Sequence, residues 1–378
     1  MTGNLEKAYQ TLESWLQVYP RAAAPPSPQD LLAGISTNGT GRFERAIEMA
    51  QKELADHPDI PFGYGGLAGS YFYVGRFSEA ESVLQRASER KLGNPVHLMM
   101  RYNIALLRGD QEQMNRMVAL AKGKREAEHR LAHAQALALA RSGRLDAARM
   151  LSNRAVTLAL QEGDDEASAC YEAARAVWEA VYGNAAGGKT SASTALEHSK
   201  GRDVQYAAGL ALALSGDFSR SEALAGELEN RFPEDTFAKF TYAPVLRAVA
   251  ALGRGKPADT VERLQIAIPY ELAANGLIHG HFYLGGMHSA YVRGEALIAV
   301  HRYAEAAAEF QKILDHRGIV GLDPIGALAH LQLGRAYALS GDKAKAKSAY
   351  EGFLTLWKHA DANVPILKQA KAEYAKLQ

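Results

Sequence analysis

Apolar residues recur every three to four positions along the chain, in runs that short glycine-led polar phrases interrupt. This spacing puts the apolar side chains on one face of an α-helix, and it predicts helices over most of the length. The interrupting phrases resemble one another. Gly41-Arg42-Phe43-Glu44-Arg45-Ala46 is followed by Gly75-Arg76-Phe77-Ser78-Glu79-Ala80 and Gly143-Arg144-Leu145-Asp146-Ala147-Ala148. Gly216-Asp217-Phe218-Ser219-Arg220-Ser221 and Gly341-Asp342-Lys343-Ala344-Lys345-Ala346 come later. Glycine suits the end of one helix, where the chain needs a left-handed residue, and the polar residues after it open the next. The predicted unit is a helix-turn-helix hairpin. Val, Ile and Thr rarely alternate with polar residues over strand length, so no β-rich block is expected.

The unit has a period. Ala46, Ala80, Met114 and Ala148 are each separated by 34 residues. Ala68, Ala80 and Ala87 sit 12 and then 7 apart, as do Ala136, Ala148 and Ala155, Gly294, Ala306 and Ile313, and Gly334, Ala346 and Phe353. The pattern resembles the tetratricopeptide repeat, whose period is 34. The resemblance implies an all-α, right-handed α-solenoid in which small residues let paired helices approach. Large residues such as Leu67, Tyr71, Leu84, Leu333, Tyr337 and Tyr350 would fill the space between them.

Beyond Ala148 the equivalent residues are Gly188, Ser221, Thr260, Ala306 and Ala346, with spacings of 40, 33, 39, 46 and 40. Insertions are therefore expected at Gln161–Glu166, Pro269–Phe282 and Asp315–Ile325, which a solenoid tolerates because each repeat mainly touches its neighbours. The expected organisation is a lone helix in 1–26, four regular hairpins in 27–160, five less regular ones in 161–358, and a capping helix in 359–378, opened near Pro365. Ala22–Pro28 reads as a widened turn. The lone first helix, behind Gly3-Asn4-Leu5-Glu6-Lys7-Ala8, reads as the second half of a hairpin. It implies a chain cut from a longer protein, with an N-terminal cap as the alternative.

The C-terminal third carries a narrower likeness. Tyr291-Val292-Arg293-Gly294, Ala307–His316, Asp323–His330, Phe353–Lys358 and Pro365–Tyr374 resemble the repeat-rich C-terminal regions of bacterial eukaryotic-like serine/threonine protein kinases. Related regions follow winged-helix domains in bacterial regulators. The resemblance implies a regulatory, protein-binding module, covalently attached to a kinase or DNA-binding domain that this chain does not contain. The chain has no Gly-rich nucleotide loop with its strand lysine, no His-Arg-Asp segment and no Asp-Phe-Gly segment.

Composition narrows the rest. Forty-three Lys and Arg against 42 Asp and Glu give a net charge of +1, which does not favour nucleic acid. The segment from Arg335 to Gln378 is locally basic, and a solvated face accounts for it. The lone Cys170 excludes an intrachain disulfide. No apolar run reaches membrane-spanning length, and a cytoplasmic location is expected. Gly183-Asn184-Ala185-Ala186-Gly187-Gly188-Lys189-Thr190 satisfies the phosphate-loop string, but a predicted helix over Ala167–Val181 precedes it where a strand is required. A hairpin turn is the better reading. His279, His281 and His288 lack ligand spacing for zinc and read as loop or surface residues. His129 and His133 share a helix face without the zincin glutamate. Cys170 reads as a packed side chain. No catalytic residue, cofactor or metal is assigned.

The remaining candidates lie on first helices, which line the concave face of such solenoids. Arg101, Arg175, Tyr206, Tyr242, Arg247, Arg293, His330 and Arg335 are the candidate peptide-binding residues. A row of arginines would pair with an acidic peptide or a terminal carboxylate, and tyrosines offer rigid contact area. Ordinary packing is the competing account for each. The expected function is non-enzymatic protein or peptide binding. The alternatives are a self-assembly scaffold or an enzyme with a site in the irregular half.

Overall fold

The computed structural model describes residues 3–19, 31–34, 39–273 and 286–377. Twenty α-helices, a further helical stretch at 31–34 and no strands occur among the described residues. Helix α1 is Leu5–Val18 and α2 is Phe43–Asp56. Eight hairpins follow: α3 Pro61–Tyr73 with α4 Phe77–Glu89, α5 Pro95–Arg108 with α6 Gln111–Ala121, α7 Ala127–Arg141 with α8 Leu145–Gln161, and α9 Asp165–Val181 with α10 Ala185–His198. Then come α11 Arg202–Leu214 with α12 Phe218–Arg231, α13 Ala243–Gly253 with α14 Pro257–Arg263, α15 His288–Ala299 with α16 Tyr303–Asp315, and α18 Ile325–Leu339 with α19 Lys343–Leu356. The short α17, Arg317–Val320, precedes α18, and α20, Pro365–Ala375, ends the chain. The molecule is an all-α solenoid of stacked hairpins.

One turn geometry is used eight times. The residue between the two helices of each hairpin is left-handed, glycine in seven cases and His301 (φ 63°) in the eighth. The following N–H donates to the carbonyl five residues earlier, as from Arg144 to Leu139 and from Asn184 to Glu179, at 2.8–3.0 Å throughout. This satisfies carbonyls that a helix end leaves unpaired. Asp110, Asn184, Asp217 and Asp342 then cap the second helix with a side-chain oxygen. The fourth residue of every second helix is the one that the period singles out: Ala46, Ala80, Met114, Ala148, Gly188, Ser221, Thr260, Ala306 and Ala346. All are buried. At Gly188 an added Cβ would lie 2.9 Å from Ser215 Oγ and 3.2 Å from the Ala176 carbonyl, so the helices already touch there.

The irregular spacings are absorbed differently from expectation. Gln161–Glu166 is no inserted loop. Helices α8 and α9 are 17 residues each, and only residues 162–164 separate them. Added length between successive hairpins is cheap when the adjoining helices of both lengthen and stay packed. The 39-residue spacing contains a π-helical segment, Ala238–Tyr242, that runs into α13. A 3-10 segment, Leu264–Tyr270, extends α14. The remainder of the insertion expected at Pro269–Phe282, from residue 274, and the turn at Ala22–Pro28 lie outside the described residues. Asp315–Ile325 does hold an extra element, α17.

That element closes the molecule. Arg317 donates to the Leu107 carbonyl at the end of α5. Gly318 lies so near α3 that a Cβ would be 2.0 Å from the Phe72 carbonyl oxygen. Trp357 is buried, donates from Nε1 to the Arg141 carbonyl at 3.0 Å, and packs edge-on against Tyr182 at 5.2 Å. The Asp361 N–H donates to the Gly143 carbonyl, and Asp361 Oδ2 accepts from Asp146 N at 3.0 Å. Helix α8 begins after Arg144, which supplies no side-chain cap. The opposite end of the chain caps it instead. At the N-terminus, Leu5 N donates to Thr236 Oγ1, Thr236 N donates to the Gly3 carbonyl, and Lys7 pairs with Glu234. These contacts join residues separated by 231, 227, 210, 216 and 215 positions. A near-constant separation is the signature of a superhelix whose second turn rests on its first. No described helix is long and apolar enough to cross a membrane.

Replacing Trp357 by Ala removes the largest side chain from this seam and should cost about 3–5 kcal/mol, the usual range for a buried Trp. The measurement is urea unfolding together with the X-ray scattering radius of gyration. An unchanged midpoint and radius would show that the turns do not rest on each other through Trp357.

Candidate functional site

The stacked turns leave the first helices little free face. Helices α7, α9, α11 and α18 are buried around most of their circumference, as suits a helix that is apolar on all sides. The eight candidates on such helices are placed as follows. Tyr206 and Tyr242 are buried and stack face to face at 4.0 Å. Tyr242 donates to Asp203 at 2.6 Å, and burial pushes both phenols upward. Arg247 makes a two-pronged pair with Glu229, and Arg335 a two-pronged pair with Glu373 at 2.9 Å. Arg175 donates to Asn153, with Glu179 at 4.0 Å. Arg293 is only 2% exposed and bridges Glu271 and Glu309, which Lys312 also contacts. Arg101 meets Glu81 at 3.2 Å and Gln85 at 2.8 Å. His330 is half-buried. Burial, then Arg141 and Arg317, push its pKa down to about 4. The structure brings together the tyrosine pair, but each arginine is held by its own neighbours rather than sharing one surface.

Two open clefts each touch one candidate. The first, about 420 Å³, lies where α4 hands over to α5 and α6 to α7. Arg101 and His97 form its wall, and exposed Lys91, Lys124 and Arg125 form its rim. Asn94 caps α5 there through His97 N at 3.0 Å. No carboxylate lines it. Burial and then Arg101 push the His97 pKa down to about 4, so the positive charge at neutral pH comes from the Lys and Arg side chains. Sequence reasoning missed Lys91, Lys124 and Arg125. Their signal was available, because Lys91 and Arg125 stand 34 residues apart, one repeat length, in equivalent loops.

The second cleft, about 540 Å³, lies between α15, α18 and α20. Arg335, Glu373, Tyr350, Gln332 and Glu295 give it a polar wall, and Ile298, Leu339 and Leu377 an apolar one. Tyr350 Oη donates to Glu373, and Gln332 Nε2 donates to Glu295 at 2.8 Å. Burial raises the Glu295 pKa to about 7, against the opposing pull of Tyr291, Arg335 and Gln332.

The phosphate-loop string forms the α9–α10 turn. Gly183 is left-handed at φ 91°, Asn184 caps α10 through Gly187 N, and Thr190 Oγ1 donates to the Ala186 carbonyl. A helix precedes it, so the strand-to-helix cradle that phosphate binding needs is missing. His129 Nδ1 lies 2.7 Å from Tyr171 Oη, and His133 stacks on the same ring at 4.1 Å. His288, expected at the surface, is instead buried with Nε2 3.4 Å from Asp323 Oδ2, and Tyr206 of α11 packs edge-on against its ring. His279 and His281 lie outside the described residues. Cys170 is buried and its thiol is pushed well up, which disfavours the thiolate. Among the described residues no three His, Cys, Asp or Glu side chains converge as a metal site.

Three solved structures similar to this chain are distant from it. Yeast Tom70 is 14% identical, with 98% of this chain and 93% of that chain covered and a TM-score of 0.41. The TPR domain of P58(IPK) is 14% identical, covering 99% and 97%, at a TM-score of 0.29. A tetratricopeptide repeat protein from Parabacteroides merdae is 14% identical, covering 87% and 99%, at 0.35. No protein-family model and no curated protein matches the chain.

Two outcomes follow from this geometry. Replacing Arg293 by Ala strands buried Glu271 without its main counter-charge and should cost about 3–5 kcal/mol in urea unfolding. Replacing Glu295 by Gln tests the raised carboxyl. A folded pKa above the unfolded one means that the native state holds the extra proton, so stability falls as pH rises from the ordinary glutamate range through about 7. The Gln variant should lose that slope and be the more stable protein at pH 8. An identical slope in both proteins would remove Glu295 as its source.

Proposed function

We propose that this chain is a non-enzymatic scaffold that binds an acidic protein segment in the basic cleft of α4, α5 and α7. The observation that carries this reading is a contrast in charge pairing. Arg101, Arg175, Arg247, Arg293 and Arg335 on the inner helices are committed to carboxylates of the same molecule, whereas Lys91 and Lys124 project from exposed loops with no ion pair among the described residues. Arg125 spends one nitrogen on the Glu162 carbonyl and keeps the rest of its fork. A rim of exposed cations around a partly apolar wall, with Leu98 and Pro95 in it, suits a peptide that alternates carboxylates with small apolar side chains. Arg101, already part of the wall, is the member of the sequence-derived set that this reading retains at the contact.

The wider role we infer is that of a regulatory module in a bacterial signalling protein, working in the cytoplasm beside an attached kinase or DNA-binding domain. Its support is the resemblance of the closing segments, Phe353–Lys358 and Pro365–Tyr374, to such regions. The rest of the arginine row would act indirectly, holding the hairpins at the angles that shape the cleft.

The test is fluorescence anisotropy with a labelled Asp/Glu-rich peptide. Replacing Lys91, Lys124 and Arg125 together by Gln should weaken binding by about tenfold or more and flatten its salt dependence, because exposed charges act mainly through screened long-range attraction. Equal affinity of the triple variant and the parent chain would sink this assignment of the surface.

A further inference from the structure

We propose that the seam between the two superhelical turns binds a small oxyanion, a phosphate or a carboxylate, on Arg141, Arg317 and His330. The site is separate from the basic cleft and does not depend on that reading.

Three elements meet around Gly326. An added Cβ there would lie 2.9 Å from Val320 Cγ1 and 3.3 and 3.4 Å from the Arg141 Nε and a terminal nitrogen of the same guanidinium. Val320 is three residues from Arg317 on α17, and His330 is one helical turn beyond Gly326 on α18, so both basic groups share the side that Arg141 approaches. Arg141 stands at the end of α7, where its own carbonyl accepts from Trp357. The three side chains thus come from the end of α7, the inserted α17 and helix α18.

What singles out Arg141 is its missing partner. The part-buried arginines Arg149, Arg202, Arg247, Arg293 and Arg335 each have a carboxylate within ion-pair reach. Among the described residues Arg141 has none, and its Nε is shielded from solvent without a hydrogen bond there. A guanidinium does not give up its proton under ordinary conditions, so a desolvated one needs a counter-charge. Burial and Arg317 push the Arg141 pKa down, while Tyr182 and Asp323 oppose them. Asp323 already faces His288 at 3.4 Å. Arg317 adds positive charge, and its guanidinium spends one nitrogen on Leu107 while the side chain reaches solvent. His330 is neutral at pH 7 and can donate one N–H. An oxyanion among these groups would take paired N–H donors from two arginines and would tie the first turn to the second.

The experiment titrates inorganic phosphate into the full chain while following thermal unfolding and the His330 ring signals by NMR. Acetate and chloride at matched ionic strength are the parallel arms. Phosphate at about a hundred times its Kd should raise the unfolding midpoint by several degrees, as for any ligand that binds only the native state. It should also raise the His330 pKa, since an anion favours the imidazolium. Acetate acting in place of phosphate would assign the site to a carboxylate, such as a peptide terminus, and would support it equally. Arg141→Gln should lower the affinity by about tenfold or more. Arg317→Gln, at an exposed position, provides the same comparison if the first variant does not fold. Responses to phosphate and acetate no greater than to chloride, or an Arg317→Gln chain that responds like the parent, would overturn the proposal.

Discussion

The angle between the two helices of a hairpin governs everything else in this molecule, and one small side chain sets it. The fourth residue of each second helix sits fully buried against the first helix, and in eight of nine cases it is no larger than threonine. A larger residue would push the helices apart and change the rotation from one hairpin to the next. Small errors in that rotation accumulate along a solenoid. Here they cannot accumulate freely, because the second superhelical turn must land on the first with Trp357 over Arg141 and Gly318 over Phe72. Met114, the one large exception, belongs to the shortest of the second helices in the regular half, α6 with 11 residues.

Closure changes the energetics of an array that would otherwise be a sum of neighbour contacts. A hydrogen bond such as Trp357 Nε1 to the Arg141 carbonyl contributes about 1 kcal/mol net. The apolar burial of Trp357, Ile319, Val320 and Leu322 contributes more, about 1.5–3 kcal/mol for each fully buried large side chain. These terms act only when distant hairpins are formed together, so they couple the ends of the chain. The cap that Asp361 gives to α8 works the same way. Its helix start depends on a residue that the chain supplies 215 positions later.

Hairpin identity was legible because it is local. Glycine turns, the 34-residue period and the small buried position all express contacts within one unit or between neighbours, and the equivalence of Gly188, Ser221 and Thr260 could be followed through irregular spacing. The longer α8 and α9 were misread as a loop because a Gly-Asp-Asp turn at 163–165 carries the same residues whether the helices beside it are long or short. The seam left almost no trace. Nothing in the neighbourhood of Gly318 or Trp357 names a partner more than 200 residues away. The candidate site suffered from the same blindness. Arg247 and Arg335 were visible as basic residues on first helices, but their partners Glu229 and Glu373 lie on other helices, and only the packing shows that they are spent.

Where a repeat protein can bind then becomes a question of which charges remain uncommitted after folding. An arginine locked to a carboxylate by two short hydrogen bonds must lose that pair before it can meet a ligand, and the exchange yields little. A lysine on an exposed loop sacrifices only water and some side-chain freedom. Lys91 and Lys124 are therefore better placed to recruit an acidic segment than Arg293, although Arg293 lies deeper and looks more like a site. Arg141 is the intermediate case. It is held at the seam like the committed arginines, yet it meets no carboxylate among the described residues, so the fold bears the cost of shielding its Nε without the return that a pair provides. A counter-ion brought from outside would recover that return, and it would do so at the place where the two turns of the superhelix meet.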